Sequence, residues 1–196
     1  MKPKDDPLTQ LPGIGSDMAE QFQKKGGKNA GVTTIRELRA LDRKTASEAL
    51  NRVLRGKNPI EKALNHLYGI PVFSVTEASV LHEVEKTTGK SKGRLKLSIQ
   101  FHREEPSGRK RASNRQGDDS SYTLVLVLGS LKQGMVLGEA SLGVSHGNGT
   151  WTSSKEIEFD WSEANADGGE GQGLMVLRLL WEEIRGFDAE MIIPIK

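Results

Sequence analysis

The chain contains no cysteine. That excludes disulfides, thiolate metal sites and a cysteine nucleophile, and it fits an intracellular protein. No run of about 18 apolar residues is present, so no membrane span is expected. The opening MKPKDDPLTQ lacks the apolar stretch of a secretory leader. Catalytic and ligand-binding signatures are missing too. His66, His82, His102 and His146 stand in four separate segments without paired spacing, so packed or surface histidines are expected rather than metal ligands. RGKNPIEK at 55–62 lacks the order of a phosphate loop, and HGNGTWTSS at 146–154 lacks a nucleophile elbow. The acidic run DWSEANADGGEGQG, with Asp160, Glu163, Asp167 and Glu170, lacks the alternating spacing of a calcium loop and reads as a solvated turn. No cofactor, no metal and no enzymatic activity are expected.

What is present is enough for folding: 196 residues with 35% apolar content can bury one good core or two small ones. The formal net charge is only +2, but its distribution is uneven. Residues 1–70 hold 13 Lys or Arg against 8 Asp or Glu, residues 91–120 hold 8 against 4, and residues 121–196 hold 5 against 11. A basic front and an acidic back point to an anionic partner for the front.

The chain changes its apolar period along its length. After Ser16, which reads as an N-cap, Met18, Ala19 and Phe22 follow helical spacing up to the glycines at 26 and 27. GVTTIRELRAL at 31–41 gives a second helix capped by Thr33 or Thr34, KTASEALNRVL at 44–54 a third, and NPIEKALNHLYG at 58–69 a fourth. Residues 71–93 read as a connector with room for one helix at 76–87. From residue 94 the period is two, as in RLKLSIQF, and five more such stretches follow without intervening helices. The fold class expected is α+β in two domains, an all-α bundle over 1–70 and an antiparallel β-sandwich or barrel over 94–196. The polar segment 102–121, which holds the basic run GRKRASNR, is expected to be a mobile loop. Trp151, Trp161 and Trp181 fall in strand patterns and read as core or interface anchors.

The stretch LPGIGS at 11–16 resembles the hairpin of the helix-hairpin-helix family, whose pattern is apolar–x–Gly–apolar–Gly between two helices. Leu11, Gly13, Ile14 and Gly15 fill those places. The resemblance extends over about 8–70, because GVTTIRELRALDRKTASEAL is similar to the degenerate second hairpin of the tandem form. It implies that bare glycine backbone and the amides of the following helix meet a phosphate, with Ile14 turned inward. The second turn, LDRK at 41–44, has no glycine, so Arg43 and Lys44 would reach a phosphate through their side chains. The glycosylases of this family carry a lysine in the hairpin and an aspartate on a downstream loop; neither is found in a matching position here, where Ser16 follows the second glycine.

Two functions are therefore expected. The first is sequence-independent DNA binding in the nucleus, a nucleoid or a virion. Gly13, Ile14, Gly15 and Ser16 form the turn, Lys24, Lys25 and Lys28 follow it, and Arg43 and Lys44 form the second contact, while the acidic β half engages protein. The second is a structural role in a large assembly such as a minor capsid component, with both domains docking protein.

Overall fold

A computed structural model describes residues 7–24, 32, 34–104, 122–144, 149–164 and 174–194. The chain divides into two compact units.

The first unit comprises Met1–Pro71 together with Arg103–Asp118 and Ile184–Phe187. A 3-10 turn, Pro7–Gln10, leads through the LPGIGS corner into α1, Ser16–Lys24. Then come α2, Ile35–Ala40, α3, Arg43–Asn51, and α4, Lys57–Gly69. Thr34 settles the cap of α2. Its hydroxyl accepts from the Glu37 amide at 3.1 Å while the Glu37 carboxylate accepts from the Thr34 amide at 3.0 Å, a reciprocal capping box. Asp42 caps α3 by accepting the Thr45 amide at 3.0 Å. Leu8, Leu11, Ile14, Ile35, Leu38, Leu50, Leu64 and Leu67 are buried in this unit. So are Ile184 and Phe187, and the side-chain amide of Gln10 brackets Arg185, accepting its N–H at 2.9 Å and donating to its carbonyl at 3.3 Å.

The second unit comprises Val72–His102, Asp119–Glu183 and Asp188–Lys196. Among the described residues it holds seven strands: β1 Val72–Val84, β2 Ser91–Arg103, β3 Tyr122–Ser130, β4 Val136–Val144, β5 Gly149–Asp160, β6 Leu174–Trp181 and β7 Ala189–Pro194. A four-residue helix, α5, Trp161–Ala164, follows β5. The strands form two sheets, β1-β2-β5 and β4-β3-β6-β7, and the β1–β2, β3–β4, β3–β6 and β6–β7 pairings are all antiparallel. In β2 the residues Leu95, Leu97, Ile99 and Phe101 are buried, and β3 alternates the same way with Leu124, Leu126 and Leu128. Apolar side chains at every second position bury one face of each sheet. Trp181 of β6 lies 5.6 Å from Phe73, 6.2 Å from Phe101 and 5.7 Å from Tyr122, ring centre to ring centre, so the two sheets share an aromatic core.

The expected α+β class with a leading all-α bundle is corrected by this structure. Among the described residues strand outweighs helix, 48% to 28%. The helices are short, six to thirteen residues from α1 to α4, and their unit is completed by segments from later in the chain. Residues 76–87, read as room for a helix, fall mostly in β1. The register with β2 runs from Val72 opposite His102 to Val84 opposite Ser91, and the β-branched content of VFSVTEASV favours that extended form. Of the segment 102–121, the strand β2 takes 102 and 103, and 105–121 lie outside the described residues.

Candidate nucleic-acid interface

The LPGIGS corner is built from local backbone bonds. The Leu11 amide donates to the Leu8 carbonyl at 3.1 Å, and the Ile14 amide to the Leu11 carbonyl at 3.0 Å. Gly13 takes φ +85°, which is left-handed backbone. Leu8, Leu11 and Ile14 are 0, 2 and 4% exposed and pin the corner from beneath, whereas Gly13 and Gly15 are exposed. Gly15, not Ser16, ends the turn: its carbonyl accepts the Ala19 amide at 2.9 Å, the first bond of α1. Gly15 has no left-handed φ, and a β-carbon there would meet nothing within 4 Å. The amides of Ser16, Asp17 and Met18 form the first turn of α1 and have no acceptor inside the helix. Asp17 adds a carboxylate to that turn.

Arg43 and Lys44 part company in the structure. The Arg43 guanidinium is drawn onto α4, donating to Asn65 Oδ1 at 2.9 Å and Glu61 Oε2 at 3.3 Å and lying 5.5 Å from the Tyr68 ring centre. Arg39 covers the same ring at 4.4 Å and pairs with Glu104 at 2.9 Å. The Tyr68 hydroxyl donates to the Leu41 carbonyl at 2.8 Å, and burial pushes its ionisation upward. Lys44 is exposed. Just ahead of these two basic residues, the Asp42 carboxylate is held below the ordinary range by the Thr45 hydroxyl and amide. Lys24 ends α1, and Lys25 and Lys28 lie outside the described residues.

One turn in the same unit is not among the sites expected from the sequence. Gly56 has φ +95° and stands directly before α4 as its N-cap. Its setting, LRGKNP, repeats the Leu-x-Gly of LPGIGS. The two turns are neighbours, because a β-carbon on Gly13 would come 3.4 Å from Leu54 Cδ2. Arg55, Gly56, Lys57 and Asn58 are all exposed. The signal for it is a glycine ahead of a proline-containing first helical turn, which the order of residues in a phosphate loop does not capture.

The remaining candidates sit elsewhere. His66 lies on α4, and burial lowers its ionisation. His82 of β1 stacks on Trp161 at 4.3 Å, Trp151 stacks on Phe101 at 5.5 Å, and His102 Nδ1 is 3.0 Å from the Thr150 hydroxyl. Among the described residues no group of three His, Asp or Glu side chains is placed to hold a metal ion, and no helix is long and apolar enough to cross a membrane.

No family model and no curated protein matches this sequence. Among solved structures, a β-glucuronidase of glycoside hydrolase family 2 is 10% identical with a TM-score of 0.37, over 60% of this chain and 11% of its own. A family 2 glycosyl hydrolase from Bacteroides cellulosilyticus is 12% identical with a TM-score of 0.38, over 64% of this chain and 14% of its own. The Pseudomonas fluorescens alkylpurine DNA glycosylase, solved with DNA containing an abasic-site analogue, is 14% identical with a TM-score of 0.29, over 89% of this chain and 53% of its own. The chain thus spans a small fraction of the two glycosidases' length.

Proposed function

We propose that this chain is a non-enzymatic protein that binds DNA without sequence preference, gripping phosphates with the glycine turns of its first unit. The observation that carries this reading is the pair of neighbouring left-handed glycines, Gly13 and Gly56, each exposed and each leading into a helix. Such a turn presents backbone N–H groups and the positive end of the helix dipole, the combination that suits a phosphate. Arg55, Lys57 and Lys44 supply exposed cations in the same unit, and the helix-hairpin-helix resemblance of residues 11–15 agrees with it. In this reading the protein acts inside the cell, and the acidic second half engages other proteins.

Fluorescence anisotropy of the full chain with short duplexes of unrelated sequence tests it. Binding should be similar for all duplexes and should weaken steeply with salt. Replacing both Arg55 and Lys57 with Ala should lower the slope of log affinity against log salt by up to about 0.9 for each phosphate no longer neutralised. A wild-type chain without affinity at low salt sinks the proposal.

The second reading, a docking scaffold in a large assembly, is favoured by one specific feature. Asp17 and Asp42 place carboxylates in the first turn of α1 and at the cap of α3, where they repel an anion and accept amides or cations of a protein partner.

A further inference from the structure

β1 is thirteen residues long and lies at the edge of its sheet, with β2 its one neighbour among the described strands. Proteins guard such edges with bulges, prolines, charges or short strands. The other sheet edges here are guarded. β7 has six residues and ends in Pro194. β4 and β5 meet closely, with a β-carbon on Gly138 standing only 2.8 Å from the Glu158 carbonyl oxygen. The first part of β1 carries a bulge at Thr76, whose hydroxyl donates to the Ser98 carbonyl at 3.1 Å. Beyond it, residues 78–84, ASVLHEV, hold no proline or bulge and a single carboxylate, Glu83, which lies 3.7 Å from Arg94 of β2, and they leave Leu81 39% and Val84 56% exposed.

We propose that residues 78–84 are the strand through which two copies of this chain join, antiparallel about a twofold axis at Leu81. Across an antiparallel pair, opposing residues share a face, and like charges set opposite are destabilising. An axis at Leu81 sets Leu81 against its own counterpart, Val80 against His82, Ala78 against Val84, and Ser79 against Glu83. All seven residues are then paired, with no like charges opposed. The next pair outward sets Glu77 against Glu85, which ends the ladder at the bulge and at the hairpin turn. Neighbouring registers are worse. An axis at Val80 opposes Glu77 to Glu83, an axis at Glu83 opposes that residue to itself, and an axis at His82 opposes Leu81 to Glu83. Pairing at Leu81 runs the three-stranded sheets of two copies together and satisfies a backbone row that no described strand pairs with. The pairing does not depend on DNA binding.

Size-exclusion chromatography with light scattering on the full chain tests it, the expected mass being twice 21.5 kDa. Leu81→Lys sets two ammonium groups against each other at the axis and should give a monomer with an unchanged circular dichroism spectrum and a melt that no longer depends on concentration, while Ile192→Lys on β7 should leave the dimer intact. Because the chain has no cysteine of its own, Leu81→Cys should form a single disulfide across the axis on mild oxidation. A wild-type monomer at the highest attainable concentration overturns the proposal, whether or not a strand from another protein pairs there. So does a dimer that Leu81→Lys leaves intact, or one that Ile192→Lys dissociates.

Discussion

Gly13 holds φ at +85°, and a β-carbon there would stand 3.4 Å from Leu54 Cδ2. An L side chain in left-handed backbone is strained, so Gly13→Ala should cost about 1–2 kcal/mol of unfolding free energy. Gly15 is two residues away, in ordinary backbone with open space beside it. Gly15→Ala should stay within about 0.5 kcal/mol of the parent. Urea titration of both variants checks the contrast, and equal losses would show that the corner does not rest on Gly13. The same pair bears on the proposed DNA binding, in which a side chain at Gly15 would stand in the way of a phosphate while leaving the fold undisturbed. The residue scale also separates the two cations of the 41–44 turn. Arg43 is fastened to Asn65, Glu61 and the Tyr68 ring, whereas Lys44 is exposed, which a sequence cannot distinguish.

Among the helices of the first unit, α4 is the longest, and its buried residues Ile60, Ala63, Leu64, Leu67 and Tyr68 recur at helical spacing. His66 sits in its last turn, where burial disfavours the imidazolium and lowers its ionisation. The sign follows from linkage. The unfolded chain takes up a proton near the ordinary imidazole value of about 6.5, but the folded chain resists it until lower pH. His66 therefore leaves stability whole above that value and erodes it as pH falls from about 6.5 towards the folded ionisation. His66→Gln should flatten the dependence of the urea midpoint on pH between about 7 and 5. Identical slopes for the two proteins would contradict this role for His66. α2, by contrast, is only six residues long. A helix of that length does not persist alone, so its capping box and the burial of Ile35 and Leu38 hold it.

Across the whole molecule, the first unit is completed from a distance. Ile184 and Phe187 belong to it and are buried, and Gln10 brackets Arg185 across 175 residues of sequence. Phe187→Ala should remove about 3–5 kcal/mol, with amide exchange accelerating in α1 to α4 if the loss falls on this unit. Exchange accelerating only in the strands would disprove that placement. For the same reason a fragment cut at residue 70 is expected to be less stable than the unit within the full chain, since it lacks both side chains.

Local chemistry made much of this protein legible in its sequence. The period-two runs coincide with β2 to β7, a threonine cap at 33 or 34 follows from a short-range pattern that the structure narrows to Thr34, and the charge division between front and back is a property of composition. These depend on residues a few positions apart, whose preferences are written side by side. Tertiary structure decided the rest. Residues 76–84 became strand because β2 offered a partner along their length, the class became mostly β, and Arg43 turned to α4 because Asn65 and Glu61 lay within reach. Gly56 became the neighbour of Gly13 only when Leu54 was folded against that corner, and Ile184 and Phe187 joined the first unit only through the return of the chain after β6. Each of these outcomes turns on groups far apart in sequence, whose free energy of contact exists only once the chain has brought them together.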